Sequence, residues 1–250
     1  MKQVENLFFD VDESRFGTRF APTPSSRLHV GHVWMAWINR EIAKRSGGIF
    51  WVRIDDLTNI GTGQDEISYR RHYGNLILDD LDWMGVSPSA VAWQSEWRDV
   101  LEMYKERANI TEDLRVDATV LHRGPIGRGF SFVSNLEACL NGVILDKMMR
   151  INPVVRGEDL LVEQLAYSGF CSRLGFEIPR MAYVPRLEFD GQAISGTNGL
   201  LQIQALRKKG LSPEDIIETI LEAALIDPSK DISADNLRWD HPTVKGNFLA

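Results

Sequence analysis

The His-x-Gly-His motif at His29–His32 is the first feature of this sequence whose residue types could do chemistry. The motif follows a proline-rich turn at 21–26, and Gly31 stands between the two histidines. The first amides of a helix carry partial positive charge, and imidazoles beside them can donate hydrogen bonds to phosphate oxygens. A glycine there lets a phosphate or a base approach the backbone closely. The pattern therefore predicts an anion-binding turn, and the alternative is a capped helix with two surface histidines.

Two arginines, Arg19 and Arg156, each lie where a predicted strand ends. Open parallel sheets bind their ligands at the carboxyl ends of the strands. A guanidinium presents a planar fork of donors that matches a carboxylate. We therefore predict that this pair binds a carboxylate, and the alternative for each arginine is a salt bridge at the strand end.

The elements that must position these residues begin with a β-α-β unit over residues 17–56. The pattern predicts a strand over Gly17–Phe20 and a helix that His29 opens. Gly47 and Gly48 end this helix, and the apolar run 49–52 is typical of a parallel strand buried on both faces. Apolar residues recur along the helix at helical spacing, namely Trp34, Trp37, Ile38 and Ile42.

Helices and strands continue to alternate along the rest of the chain. Residues 109–137 are broken by several glycines and a proline. Asp159 is a candidate N-cap for the helix that follows the strand of Arg156. The alternation predicts an α/β fold with a parallel sheet. We predict further helices over 65–83, 97–108, 138–150, 160–174 and 200–225, and further strands over 90–94, 179–185 and 187–189.

Three segments together resemble the catalytic start of the glutamyl- and glutaminyl-tRNA synthetases, which are class I aminoacyl-tRNA synthetases. They are Arg19–Pro24, Leu28–His32 and Arg53–Asp56, and the match runs over about forty residues without an alignment gap. Leu81–Gly85 followed by Trp93–Glu96, and Val154–Leu161, are similar to later segments of the same family. The resemblance implies the Rossmann-like parallel sheet of class I synthetases, with a reduced insertion and a short C-terminal helical region.

The same resemblance implies a division of the chain into four parts. Residues 1–108 form the first half of the Rossmann-like catalytic domain, and residues 138–199 form the second half. Residues 109–137 replace the larger insertion that binds the acceptor end of tRNA in the family. Residues 200–250 resemble the start of the helical stem-contact region, and we expect no anticodon-binding domain in this chain.

Site residues also follow from the resemblance. Arg19 and Arg156 face the side-chain carboxylate of glutamate, Asp55 holds the α-amino group, and Arg156 favours glutamate over glutamine. His29, His32 and Ser195 are the expected catalytic residues. The ATP site comprises His29, Gly31, His32, Glu158 and Ser195, and the amino-acid site comprises Arg19, Ala21, Thr23, Asp55, Ala138, Gly142 and Arg156.

Two departures from the family pattern bear on activity. The family has a loop of the type Lys-Leu-Ser-Lys-Arg where this chain reads Ala193-Ile194-Ser195-Gly196-Thr197, so both lysines are missing. Losing one such charge donor typically costs about 10²–10³ in rate. Without a gap, Ala138 aligns with a tyrosine of the amino-acid pocket and Gly142 with a second pocket position, which implies a wider pocket. A gap in the alignment brings Phe132 or Asn135 there instead.

Composition narrows the class of protein. The chain has 250 residues with a formal net charge of −7, which gives no basic-domain signal for nucleic acid. Its two cysteines, Cys139 and Cys171, fit no metal spacing, so we expect no zinc site of the kind that glutamyl-queuosine tRNA synthetases carry. No apolar run approaches membrane length. We expect a monomeric cytoplasmic protein with no membrane partner, using ATP and Mg²⁺.

Three functions remain open at this point. The first is an ATP-dependent ligase that activates glutamate or a related acidic amino acid as an aminoacyl adenylate and transfers it to tRNA. The second keeps the activation and changes the acyl acceptor, which the short 109–137 segment favours. The third is a catalytically decayed synthetase paralogue that binds a nucleotide or RNA, which the missing lysines favour.

Overall fold

The computed structural model describes residues 16–57, 66–109, 136–184, 187–189, 192–194, 199–223 and 243–244. Over these ranges helices alternate with strands, and the strands of the two larger sheets pair in parallel. The α/β class with parallel sheets is therefore confirmed.

The first unit is a β-α-β crossover that places the histidine turn at the edge of a sheet. Strand β1 spans Gly17–Phe20, helix α1 spans Val30–Ser46, and strand β2 spans Ile49–Ile54. β1 and β2 pair in parallel along the whole of β1. Gly47 ends α1 in the left-handed region at φ 65°, a conformation that glycine adopts without steric cost. The predicted unit is confirmed, with β2 two residues longer than the apolar run.

A third parallel strand extends this sheet. Helix α2 spans Glu66–Trp83 and leads to strand β3, Ala90–Trp93, which pairs with β2. The strand order is β1-β2-β3. A 3-10 turn at Gln94–Trp97 then precedes helix α3, Arg98–Arg107. The helices predicted over 65–83 and 97–108 are thus confirmed to within a residue or so at each end.

The second half repeats the pattern and is joined to the first through β1. Strand β4 pairs in parallel with strand β5. The amide of Gly17 donates to the carbonyl of Arg150 at 3.1 Å, and the amide of Asn152 donates to the carbonyl of Gly17 at 2.9 Å. These bonds set β4 beside β1. The elements are helix α4, Leu136–Met148; β4, Val154–Gly157; helix α5, Gln164–Leu174; and β5, Met181–Val184.

The start of α5 differs from the prediction. A 3-10 helix, Glu158–Glu163, follows β4 directly, and α5 begins only at Gln164. Asp159 lies inside the short helix, whose N-cap is Gly157, so the predicted capping role of Asp159 is wrong. Glu163, the last residue of this 3-10 helix, forms an ion pair with Arg156.

The C-terminal helical region is broken, whereas the sequence predicted one helix over 200–225. A 3-10 turn at 199–201 precedes helix α6, Ile203–Lys208, and helix α7 spans Pro213–Ala223. Gly210 separates them at φ 88°. The Ser212 hydroxyl accepts from the amide of Asp215 at 3.1 Å, and proline occupies the first helical position. This N-terminal capping pattern, visible in the sequence, marks a new helix start.

Three short strands form a separate sheet after β5. Strand β6, Glu188–Phe189, pairs antiparallel with β7, Gln192–Ala193, and parallel with β8, Thr243–Val244. Residues 195–197, which hold the predicted Ser195, come soon after β7 in the chain and lie outside the described residues. The region 110–135, which holds most of the predicted insertion, lies outside them as well.

Two apolar clusters fill the space around the parallel sheets. One surrounds α1 and packs it against β1, β2, α2 and α7, and all four residues of the predicted apolar face of α1 are buried in it. The other lies between α3, α4, α5 and β4. In the part of the chain that the structure describes, no helix is both long and apolar enough to cross a membrane.

Candidate active site

A cavity of about 450 Å³ lies at the carboxyl ends of β1, β2 and β4 and at the start of α1. Such crevices beside the carboxyl ends of strands are where open α/β sheets bind ligands. The cavity brings together ten of the residues predicted from the sequence, which are Arg19, Ala21, Thr23, His29, Gly31, His32, Asp55, Ala138, Gly142 and Arg156.

Two predicted site residues stand apart from this set. Glu158 opens the 3-10 helix that follows β4, two residues after Arg156. Ser195 lies outside the described residues. The ATP-binding roles of both stay predictions.

The histidine turn is a stacked pair at the N-terminus of α1. His29 is the N-cap residue, with an extended backbone, and its carbonyl accepts from the amide of His32 at 2.9 Å. The two imidazole rings stack, with centroids 3.7 Å apart and planes 24° apart. The amide of His29 donates to Nδ1 of His32 at 3.3 Å. Because Nδ1 accepts, a neutral His32 carries its proton on Nε2, where it can donate to a ligand.

Both imidazoles are neutral at physiological pH. Burial lowers the pKa of His29 to about 4. Burial, with a smaller contribution from the charge of His29, lowers the pKa of His32 to about 3. The two residues therefore act as hydrogen-bond donors beside the positive end of the helix dipole, and they add no net charge of their own.

Gly31 keeps space free beside these rings. A Cβ atom at residue 31 would lie 3.1 Å from Cε1 and from Nδ1 of His29. That separation is shorter than ordinary van der Waals contact between such atoms. A larger residue would therefore press on the His29 ring, and glycine leaves the turn open for a close ligand.

A buried carboxylate, Asp146 of α4, joins the two halves of the fold beneath the cavity. Its Oδ1 accepts from Nε of Arg19 at 2.9 Å and from Nη1 of Arg53 at 2.7 Å. Its Oδ2 accepts from the hydroxyl of Tyr167 at 3.0 Å. Burial would raise the pKa of Asp146, but the charges of Arg19 and Arg53 outweigh it and hold the pKa below its ordinary value.

Asp55, directly after β2, is held by Arg53, which lies two residues before it in the chain. Arg53 donates from Nε to Oδ1 at 2.6 Å and from Nη2 to Oδ2 at 3.1 Å. The two bonds form a bidentate pair, which fixes the orientation of the carboxylate. Asp55 keeps 15% of its side chain exposed, so a ligand amine in the cavity can still reach it.

Arg156, at the end of β4, is also paired within the protein. Its Nη2 donates to Oε2 of Glu163 at 2.7 Å, and the two side chains are 10% and 11% exposed. Among the described residues, its buried Nη1 has no hydrogen-bond partner. The strand-end salt bridge that sequence analysis gave as the alternative is therefore present at both arginines, and both arginines nonetheless line the cavity.

The cavity wall is electrically balanced. Three arginines and three acids line it within the described part of the chain, and each acid is bonded to at least one arginine. Because opposite charges are matched at short range, the wall can hold a zwitterionic ligand without leaving a buried charge uncompensated.

Sequence reasoning missed Asp146, Glu163 and Tyr167 as parts of this site. Asp146 did have a signal, because it follows the apolar run Val143-Ile144-Leu145 and is therefore a charge placed on a buried helix face. Glu163 and Tyr167 had none, because helical spacing alone does not say which residues meet across a fold.

The described residues hold no group of three or more His, Cys, Asp or Glu side chains arranged to bind a metal ion. Cys139 lines the cavity as a free thiol, and burial raises its pKa to about 12. It therefore stays protonated near neutral pH.

Comparison with known proteins agrees with the geometry. Residues 15–108 match the model of the catalytic domain of class I tRNA synthetases (E and Q). A glutamate–tRNA ligase of Ruegeria pomeroyi is 25% identical over 283 aligned residues that cover 84% of this chain and 61% of the relative. The chain thus spans about three fifths of that ligase. A glutamyl-Q tRNA(Asp) synthetase of Nocardia farcinica is 24% identical, with 84% of this chain and 85% of the relative covered.

The fold has matching solved structures. The crystal structure of a glutamate–tRNA synthetase from Elizabethkingia anophelis superimposes with a TM-score of 0.68, covering 92% of this chain and 68% of that one. The two sequences are 17% identical in this comparison, so this likeness shows the fold alone.

Proposed function

We propose that this chain, whose residues 15–108 match the model of the catalytic domain of class I tRNA synthetases (E and Q), activates glutamate with ATP. The observation that carries the proposal is the convergence of ten predicted site residues on one cavity. They lie on four elements, β1, α1, α4 and β4, and on the segments that follow β1 and β2, and some of them are more than a hundred residues apart in the chain. A cavity in which candidate donors and acids converge is the default binding site of an α/β fold.

In the proposed complex the histidine turn holds the triphosphate of ATP. Neutral His29 and His32 donate hydrogen bonds to phosphate oxygens, and the N-terminus of α1 adds its positive dipole end. Gly31 leaves room for the nucleotide to approach the backbone. The cavity carboxylates are already bonded to arginines, so in this proposal Mg²⁺ enters with the phosphates of ATP.

Glutamate lies in the same cavity with its two ends distinguished by charge. Asp55 accepts from the α-ammonium group, and the side-chain carboxylate approaches Arg19 and Arg156. An oxygen of the α-carboxylate attacks the α-phosphorus of ATP, and the bond to the bridging oxygen of the β-phosphate breaks. Glutamyl adenylate forms and pyrophosphate leaves. Holding the two reactants in line is the main contribution that the described residues make.

The adenylate then passes its acyl group to an acceptor, and we propose tRNA or a smaller molecule carrying a hydroxyl or an amine. The glutamate–tRNA ligase and glutamyl-Q tRNA(Asp) synthetase relatives favour tRNA. The shortness of the 109–137 segment favours a smaller acceptor. The four-part division of the chain, monomeric state and cytoplasmic location stay predictions of the sequence.

One observation favours a second candidate, a synthetase paralogue that binds a nucleotide or RNA without turnover. Residues 193–197 contain neither lysine of the family loop. Without those charges the departing pyrophosphate loses preorganised stabilisation. Retained binding without exchange of pyrophosphate distinguishes this candidate from the ligase.

The nucleotide part of the proposal is tested by ATP binding to a double variant, His29→Ala with His32→Ala, measured by calorimetry. We expect ATP binding to be lost while the melting transition stays cooperative, because both imidazole donors are removed. His72→Ala is the matched control, since His72 is an exposed histidine on α2, and it should bind ATP as the wild type does. ATP affinity that is unchanged in the folded double variant contradicts the proposal.

A further inference from the structure

The ion pair between Arg156 and Glu163 differs from the other ion pairs of the cavity wall. Asp146 accepts three hydrogen bonds and is 2% exposed. Glu163 accepts one hydrogen bond among those that the structure describes, and its side chain is 11% exposed. Asp146 thus accepts hydrogen bonds from three side chains, whereas within the described part of the chain Glu163 accepts one, from Arg156.

At its position in the chain, Glu163 can change its side-chain rotamer without disturbing a helix terminus. It is the last residue of the 3-10 helix and the N-cap of α5. Its side chain makes no capping hydrogen bond to α5. A change of side-chain rotamer therefore breaks its contact with Arg156 without breaking a helical hydrogen bond.

Arg156 keeps other contacts when Glu163 moves. Its guanidinium carbon lies 5.8 Å from the centroid of the Tyr167 ring, within the range of a cation–π contact. Tyr167 is itself held by its hydroxyl hydrogen bond to Asp146. A ligand carboxylate that replaces Glu163 therefore meets a guanidinium that is already positioned in the cavity wall.

We propose that Glu163 is a specificity-determining residue that occupies, in the free protein, the place on Arg156 that the substrate's side-chain carboxylate takes. The inference rests on the proposed function, because it assumes an acidic amino acid in the cavity. Binding exchanges one carboxylate for another on the same guanidinium, so the substrate gains less than it would from an unpaired arginine. Two carboxylates cannot share the site without repulsion, so Glu163 must leave as the substrate enters.

The test is the affinity for glutamate and for glutamine in the wild type and in Glu163→Gln, measured by calorimetry on the full chain. Glutamine lacks the side-chain charge and serves as the neutral probe. We expect Glu163→Gln to bind glutamate at least tenfold more tightly, with glutamine affinity changed by less than threefold. Adding Arg156→Cys to Glu163→Gln should abolish the gain, because the guanidinium that receives the carboxylate is gone.

Two further variants make the comparison specific. Glu96→Gln removes the acid of the exposed Arg71–Glu96 ion pair, and it should leave glutamate affinity at the wild-type value. Glu163→Asp keeps the charge on a side chain one methylene shorter, and we expect a smaller gain than in Glu163→Gln. If Glu163→Gln does not fold, Glu163→Asp takes its place in the test, and the measured quantity is its increase in glutamate affinity over the wild type.

Several results would overturn the inference. One is a glutamate affinity that does not rise in the Glu163 variants, including the absence of glutamate binding in every variant. Another is a wild type that prefers glutamine and loses that preference in Glu163→Gln, which would mean that Arg156 and Glu163 together recognise an amide. ATP binding by the same samples distinguishes failure of this inference from failure of the proposed function. A wild type that binds no ATP counts against the proposed function itself.

Discussion

At the level of single residues, the cavity is built from charged groups that are already neutralised. Asp146 alone receives hydrogen bonds from Arg19, Arg53 and Tyr167. The histidines reach neutrality by another route, because burial lowers the pKa of both. Both arrangements avoid an uncompensated buried charge, and both make the stability of the fold depend on pH.

The free energy of unfolding should fall as the pH is lowered from about 6.5 towards 4. Over that window the unfolded chain protonates His29 and His32, whose ordinary pKa is 6.5, and the folded chain does not. Stability is lost where the unfolded state binds more protons, by at most about 1.4 kcal/mol per pH unit for each histidine. Below that window Asp146, with its lowered pKa, adds a further loss as the unfolded chain takes up its proton.

Urea denaturation at a series of pH values measures this dependence. The double variant His29→Gln with His32→Gln should show a shallower fall between pH 6.5 and 4, because it no longer has the two depressed titrations. An equally steep fall in that variant would assign the pH dependence to other groups.

What the sequence could predict at this level were the residues carried by local motifs. Arg19, Asp55 and Arg156 lie at or just after the ends of strands, and His29 and His32 lie at the start of α1. All five line one cavity, and their binding roles stay predictions. Their partners were not predicted, because Arg19 and Asp146 are 127 residues apart in the chain. Long-range pairing depends on how the two halves of the sheet meet, which local spacing does not encode.

At the level of elements, the β-α-β unit was predictable because apolar periodicity and glycine stops agree along it. The elements around Arg156 were less predictable from the sequence. A 3-10 helix and the first turn of an α-helix share much of their residue pattern, so the sequence placed the start of α5 at Leu160 rather than at Gln164. Glu163, the last residue of the 3-10 helix, lies beside Arg156 and forms an ion pair with it.

The packing of α2 on the sheet gives an element-level prediction. A Cβ atom at Gly74 would overlap the ring of Trp93, and it would lie 3.2 Å from Cγ2 of Ile54. Both neighbours are buried. Gly74→Ala should therefore lower the free energy of unfolding by about 1–3 kcal/mol, the usual cost of overpacking a core.

Gly169→Ala is the matched control for this change. Gly169 also lies inside a helix, α5, and a Cβ atom there meets nothing within 4 Å. It should raise the free energy of unfolding by about 0.5–1 kcal/mol, because alanine restricts the unfolded chain and favours the helix. Urea denaturation of both variants makes the comparison, and a Gly74→Ala protein as stable as the wild type would contradict the close packing of α2 against Trp93.

At the level of the whole molecule, the two halves of the core meet at β1 and share one cavity. The family model covers residues 15–108, and the fold likeness extends to 92% of the chain. The second half supplies Asp146, Arg156 and Glu163 to the site that the first half opens.

The central claim, activation of glutamate by ATP, is tested most directly by glutamate-dependent ATP–pyrophosphate exchange in the wild type and in Gly196→Lys. The account predicts measurable exchange in the wild type, dependent on glutamate. Gly196→Lys restores one cation to the loop that lacks both lysines and should raise the exchange rate by about 10- to 1,000-fold, the scale of one preorganised charge donor. If neither protein exchanges pyrophosphate while both still bind ATP, the ligase proposal is contradicted, and the synthetase paralogue that binds without turnover is favoured instead.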